Sequence, residues 1–254
     1  QTRTDIVAMT RADLVLWHGL YLEAQMEDFF KELSQKRTLV AVADGLDRSK
    51  LRAHDEYKDK FDPHVWMDPA LWADVVGEVR DALSKVSPAN KAAFEQNTAA
   101  YVKELNQLAA KARASLATVP KQARVLITAH DAFAYFGGAY GFEVMGIQGI
   151  STESEAGLRR IRELVNQLVG NDIKAVFVET SVSDRNIRAL IEGAAAKGHE
   201  VKIGGELFSD AMGEPGTFEG TYLGMLDHNT TTITRALGGK APERGHTGRL
   251  SAGA

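Results

Sequence analysis

The longest amphipathic stretch of the sequence covers residues 87–119 and reads SPANKAAFEQNTAAYVKELNQLAAKARASLATV. Its apolar residues recur mostly three, four or seven positions apart, which is the spacing of one α-helical face. Ser87 is a suitable N-cap, Pro88 falls in the first turn, and Pro120 ends the pattern. At about 1.5 Å per residue the helix would be roughly 45–50 Å long, enough to span two lobes. The alternative is a long amphipathic helix packed on a single core.

Short apolar segments alternate with helical patterns on both sides of this stretch, and the two halves of the chain follow the same plan. Strands are predicted at 12–17, 38–43, 124–129, 142–150, 173–179 and 200–203. Helices are predicted at 23–33, 71–86, 131–140, 154–169, 186–197 and 221–237. Strands separated by helices of about ten residues or more are typical of parallel sheets covered on both faces. The sequence therefore predicts an α/β fold.

The composition argues against several classes of protein. The chain has 254 residues, is 44% hydrophobic and 25% charged, and carries a formal net charge of −4, which argues against a nucleic-acid partner. The sequence contains no run of about 18 apolar residues, so it predicts no membrane span. The absence of cysteine excludes disulfides, thiolate metal sites and cysteine nucleophiles. Because Gln1 is the first residue and no leader pattern follows, we expect a processed chain whose signal peptide has been removed.

Two histidines and one aspartate are candidate metal ligands. His64 lies in DPHVW, where a proline stiffens the backbone and the ring of Trp66 can pack beside it. His130 follows the predicted strand 124–129, at the end where open α/β sheets bind ligands, and Asp210 follows a short strand in a glycine-flanked loop. Two imidazoles and a carboxylate suit zinc, manganese or iron(II). Alternatively, each is a satisfied polar residue at a strand end. The remaining histidines are given no role: His18, His54, His199, His228 and His246.

Glu179, at the end of IKAVFVE, has two interpretations. The sequence contains no GxSxG, P-loop or HExxH motif. A metallohydrolase built on the same three ligands would need an additional base beside an open coordination position, and Glu179 is the best candidate. Alternatively, Glu179 supports a ligand from behind or accepts hydrogen bonds from backbone amides at the strand end.

Four groups of motifs occur in the order of one known family. They are DPHVWMDP, then HDAFAYFGGAYGFEV with GISTESEA, then VFVETSVSDRNI, then GGELFSDAMG with GTYLGMLDHN. Together, from about residue 5 to 238, they resemble the zinc- and manganese-binding solute receptors of bacterial ABC transporters, of the cluster A-I type. The resemblance implies two lobes, residues 1–86 and 120–239, each a mainly parallel sheet covered by helices. It also implies that the long helix 87–119 joins them rigidly with metal in the cleft between, and we expect 240–254 to be a disordered tail.

The resemblance also implies a ligand set. His64 would be a ligand from the first lobe, and His130 and Asp210 would be ligands from the second. Family members with glutamate in place of the HDAF histidine are usually linked to manganese, whereas histidine there is found in members linked to zinc or to both metals. A long histidine-rich loop before DPH marks the zinc-only branch, and residues 46–60 contain only His54. The family's first ligand would lie upstream of Gln1.

The function that the resemblance implies is that of an extracytoplasmic receptor, not an enzyme. It would bind Zn²⁺ or Mn²⁺, with Fe²⁺ also chemically suitable, and deliver the ion to a membrane permease. We expect a monomer, periplasmic or anchored to the cell surface by lipid, with no nucleic-acid partner. Affinity should fall as pH drops through the histidine range near ~6.5. The alternatives are a metal-dependent hydrolase using the same ligands, and a metal chaperone or adhesin lipoprotein.

Overall fold

The computed structural model describes residues 2–55, 57–152 and 156–251. The chain divides into two compact units, Gln1–Asn106 and Gln107–Ala254. The division falls inside the longest helix. The first predicted residues of the 154–169 helix and part of the GISTESEA motif lie outside the described residues.

The elements of the first unit alternate between helices and strands as far as α3, which is followed directly by another helix. They are α1 (Arg3–Arg11), β1 (Leu14–Trp17), α2 (Glu27–Leu33), β2 (Thr38–Ala41), α3 (Pro69–Val86) and the first part of α4 (Lys91–Leu116). β1 and β2 are parallel, with Leu14 opposite Thr38 and Trp17 opposite Ala41. This pairing confirms the predicted parallel arrangement of the two strands.

The second unit contains the rest of α4 and two further pairs of parallel strands. Its other elements are β3 (Val125–Thr128), α5 (Ala134–Tyr140), β4 (Glu143–Gly146), α6 (Leu158–Gly170), β5 (Ala175–Glu179), α7 (Arg185–Ala195), β6 (Lys202–Leu207) and α8 (Tyr222–Ala236). β3 pairs with β4, and β5 pairs with β6. β6 continues through two glycines to Leu207, beyond its predicted end at residue 203. The unit has an apolar core drawn from β3, β5, α6 and α7 and from residues that flank the strands.

α4 is the long helix that the sequence predicts, over somewhat fewer residues. A 3₁₀ turn, Pro88–Asn90, precedes it, and the α-helix itself has 26 residues, or about 39 Å. Its fully buried side chains are Leu105, Leu108, Ala112 and Leu116, which share one face. The apolar periodicity therefore predicts both the helix and its buried face.

α1 differs from the sequence prediction, which assigned no element to residues 1–10. The helix has a capping box, in which Thr2 accepts a hydrogen bond from the Asp5 N–H and Asp5 accepts one from the Thr2 N–H. None of its residues is buried. Apolar periodicity indicates the buried face of a helix, and α1 has no such face.

The segment 240–251 also differs from the predicted disorder. It has no helix or strand, but Leu250 is fully buried. Asp227 of α8 accepts hydrogen bonds from the backbone N–H groups of His246 (2.7 Å) and Thr247 (3.0 Å) and from the Thr247 hydroxyl (2.6 Å). The polar composition of the segment does not predict this order, because the order depends on its backbone N–H groups, which donate to the buried carboxylate of Asp227. Residues 252–254 lie outside the described residues.

Within the described part of the chain, no helix combines the length and the apolar character that crossing a bilayer requires.

Candidate metal centre

His64 lies in the first unit, immediately before the 3₁₀ turn Val65–Met67. Its side chain is buried, and so is that of Asp62. The Asp62 Oδ1 atom accepts hydrogen bonds from the His64 backbone N–H (2.9 Å) and from Nδ1 (2.7 Å). Because a carboxylate only accepts, Nδ1 carries the proton, and in the corresponding neutral tautomer the lone pair is on Nε2. Asp62 thus fixes both the tautomer and the orientation of His64.

His18 supports the same segment through the residue before His64. The Nε2 atom of His18 lies 2.7 Å from the carbonyl oxygen of Pro63, to which it donates. Burial lowers the pKa of His18 to about 4, so the ring is neutral at physiological pH. The ring of Trp66 lies edge-on to both histidines, at 5.1 Å from each. Sequence reasoning gave His18 no role, because the contact depends on a turn after β1 that periodicity does not describe.

His130 lies in the second unit, just beyond the carboxyl end of β3. Glu179, the last residue of β5, is buried beside it. Its Oε1 atom accepts a hydrogen bond from the His130 backbone N–H (2.9 Å), and Oε2 lies 2.6 Å from Nδ1. The structure therefore favours the interpretation of Glu179 as a residue that supports His130 from behind and accepts a backbone hydrogen bond at the strand end.

Asp210 follows β6, also in the second unit. Its Oδ2 atom lies 3.3 Å from Nε2 of His130, and about a third of its side chain is exposed. The second unit thus brings together two of the three predicted ligands. The third, His64, belongs to the first unit.

The charges around His130 favour a protonated ring in the metal-free protein. Burial lowers the pKa of His130, but the carboxylates of Asp210 and Glu179 outweigh it and raise the pKa to about 10. The cause is geometric: Nδ1 of His130 lies beside the Glu179 carboxylate, and Nε2 lies beside the Asp210 carboxylate. A divalent cation that replaces the Nε2 proton would keep the attraction of both carboxylates, so the arrangement is suited to exchanging a proton for a metal ion.

Comparison with known proteins identifies close relatives along most of the chain. The sequence profile of the family described as "ZnuA: Zinc-uptake complex component A periplasmic" matches residues 1–236. The manganese-binding lipoprotein MntA of Bacillus subtilis is 49% identical over 233 residues, which cover 92% of this chain and 76% of MntA. The iron-binding protein YfeA of Yersinia pestis is 29% identical over 238 residues, which cover 93% of this chain and 74% of YfeA.

The zinc-binding protein TroA of Treponema pallidum is similar in both sequence and structure. It is 44% identical over 236 residues, which cover 93% of this chain and 76% of TroA. Its solved structure aligns with a TM-score of 0.89 over 93% of this chain and 84% of the TroA chain.

Proposed function

The chain belongs to the ZnuA family of periplasmic zinc-uptake components, and we propose on this premise that it is an extracytoplasmic receptor for a divalent transition-metal ion. It delivers the ion to an ABC transporter permease for uptake. The ion is cargo, and Zn²⁺, Mn²⁺ and Fe²⁺ are the candidates, because relatives are named for binding each of these metals. Like the lipoproteins and periplasmic proteins it resembles, it acts in the periplasm or anchored at the cell surface. We also propose that it is a monomer.

The observation that carries the proposal is the group formed by His130, Asp210 and Glu179 in the second unit. Nε2 of His130 and the Asp210 carboxylate lie 3.3 Å apart, close enough to bind one ion. We propose that His64 of the first unit completes the set through its own Nε2. Two imidazoles and one carboxylate form the mixed nitrogen and oxygen ligand set that suits these metals.

The arrangement of Glu179 supports a receptor over a hydrolase. Its two carboxylate oxygens contact the backbone and the ring of His130. A general base must reach a water molecule or substrate proton within hydrogen-bond distance, and these contacts occupy the carboxylate instead. We therefore assign Glu179 to orienting a ligand and assign the protein no catalytic step.

The test is metal binding by single-residue variants, measured by calorimetry with a competing chelator. His64→Ala and His130→Ala should each lose most of the affinity of the wild type for Zn²⁺ and Mn²⁺, because each removes one ligand. Circular dichroism should show that both variants remain folded. His54→Ala, a histidine of the 46–60 loop, is the matched control and should bind normally.

Full stoichiometric binding by His64→Ala or His130→Ala would contradict the assignment of these ligands. Turnover of a phosphate, ester or peptide substrate by the metal-loaded wild type would favour the hydrolase instead.

A further inference from the structure

We propose that Asn229 of α8 is a positioning residue for metal binding, because it holds the main chain two residues before Asp210. This proposal rests on the function proposed above, in which Asp210 is a ligand. Asn229 belongs to the GTYLGMLDHN motif, which contains none of the proposed ligands. The proposal gives that motif a direct connection to the metal centre.

The side chain of Asn229 is buried and makes two hydrogen bonds to one residue. Its Oδ1 atom accepts from the Phe208 backbone N–H (2.9 Å), and its Nδ2 atom donates to the Phe208 carbonyl (2.7 Å). Phe208 is the first residue beyond β6. The amide thus makes the pair of bonds that a residue of a neighbouring antiparallel strand would make, at the point where the strand ends.

Neighbouring contacts hold the same few residues. His228 lies next to Asn229 on α8, and its Nε2 atom is 2.9 Å from the carbonyl oxygen of Glu206. The rings of His228 and Phe208 are 4.7 Å apart. On the other side of Phe208, the hydroxyl of Ser209 hydrogen-bonds to that of Ser181 at 2.9 Å. The chain leading to Asp210 is therefore attached to α8 at two successive residues of the helix.

Fixing this chain matters because about a third of the Asp210 side chain is exposed. A ligand on a loose segment must be ordered when the ion binds, and that loss of entropy weakens binding. A ligand whose main chain is already held avoids the cost. Residues that orient ligands from behind typically contribute about 10- to 100-fold in metal affinity.

The loss of Asn229 should affect the two metals differently. Imidazole is a good ligand for zinc, whereas manganese prefers carboxylate and other oxygen ligands. A misplaced Asp210 leaves a site dominated by histidine. We therefore expect the affinity for Mn²⁺ to fall more than the affinity for Zn²⁺.

The experiment is a double-mutant cycle on the full chain, with dissociation constants for Mn²⁺ and Zn²⁺. Asn229→Ala should weaken Mn²⁺ binding about 10- to 100-fold and Zn²⁺ binding less. In the Asp210→Asn background the same substitution should have little further effect, because Asn229 acts through Asp210. Asn229→Asp, which keeps the acceptor for the Phe208 N–H, is a second variant in case the alanine variant does not fold.

The matched control is Thr234→Val, also on α8. Thr234 is buried and its hydroxyl donates to the Thr230 carbonyl within the helix, away from the Phe208 backbone. This variant should bind both metals like the wild type.

Unchanged affinities in Asn229→Ala and Asn229→Asp would overturn the proposal, as would equal losses with and without the Asp210→Asn change. A wild-type protein that binds neither metal would instead contradict the proposed function, so the two failures can be distinguished.

Discussion

At the scale of single residues, each candidate histidine is held at two points by one buried carboxylate. Asp62 bonds both the main chain and the ring of His64, and Glu179 contacts the same two groups of His130. Contacts of this kind set the ring orientation and increase the basicity of the metal-binding nitrogen. Asp62 lies two residues before its histidine, whereas Glu179 is 49 residues from His130 and ends another strand. The sequence alone therefore leaves the role of Glu179 open between a base and a support.

The raised pKa of His130 predicts an unusual pH dependence of metal binding. Because binding displaces a proton from a ring whose pKa is about 10, affinity should rise by up to about tenfold per pH unit from pH 6.5 to 8.5. From the sequence alone, the metal affinity is expected to stop rising once the pH exceeds the ordinary pKa of histidine, near ~6.5. The measurement is the dissociation constant for Mn²⁺ across this range in non-chelating buffers.

A plateau above about pH 7.5 would contradict this prediction, since a ring with an ordinary pKa is deprotonated there. Glu179→Gln is the matched control. It removes one of the two carboxylates that raise the pKa of His130, so its plateau should begin at lower pH. In the metal-free protein, the attraction between the protonated His130 ring and the carboxylates of Glu179 and Asp210 stabilises the fold fully below pH 6.5. This contribution is lost as the pH rises through about 10.

At the scale of elements, the DPHVWMDP motif serves two different purposes. Its first aspartate, Asp62, orients His64, whereas its second, Asp68, caps α3. The Asp68 side chain accepts a hydrogen bond from the Ala70 N–H (2.9 Å), and Pro69 occupies the first turn. α3 then buries Leu71 and Val75 within the first unit. The motif thus positions His64, a proposed ligand, and starts the helix that follows it.

Removing the cap should destabilise the protein without changing metal affinity. Asp68→Ala should lower the free energy of unfolding by about 1 kcal/mol, because it leaves an N–H group of the first turn without its acceptor. Chemical denaturation of the metal-free protein measures this change. Asp68→Asn, which keeps the capping oxygen, should lose less, and Asp13→Ala, at an exposed aspartate outside any helix, should have little effect. Equal stabilities of Asp68→Ala and the wild type would show that the cap contributes nothing.

α8 makes hydrogen bonds to two segments of the second unit, one before it and one after it in the sequence. No local sequence pattern predicts these contacts. Asp227 binds the backbone at residues 246–247, and Asn229 binds Phe208. These side chains are two positions apart on one helix. Helical periodicity in the sequence predicts α8 itself, but it does not indicate which buried polar residues accept bonds from distant segments.

At the scale of the whole molecule, the sequence predicts the α/β class and the order of the main elements, because buried strands and helices leave apolar runs and periodic stripes. α1 and the packing of residues 240–251 were not predicted, since both depend on hydrogen bonds to polar residues. Spacing alone left the roles of His64, His130 and Asp210 open. The family resemblance grouped them, and the contact between His130 and Asp210 supports that grouping.

The central claim is that one divalent ion is bound jointly by Nε2 of His64, Nε2 of His130 and the carboxylate of Asp210. The most direct measurement is a crystal structure of the manganese-loaded protein with anomalous diffraction at the manganese edge. We predict one anomalous peak, within bonding distance of these three side chains, with Nδ1 of each histidine still facing its carboxylate. An ion bound elsewhere, or bound without either histidine, would contradict the account.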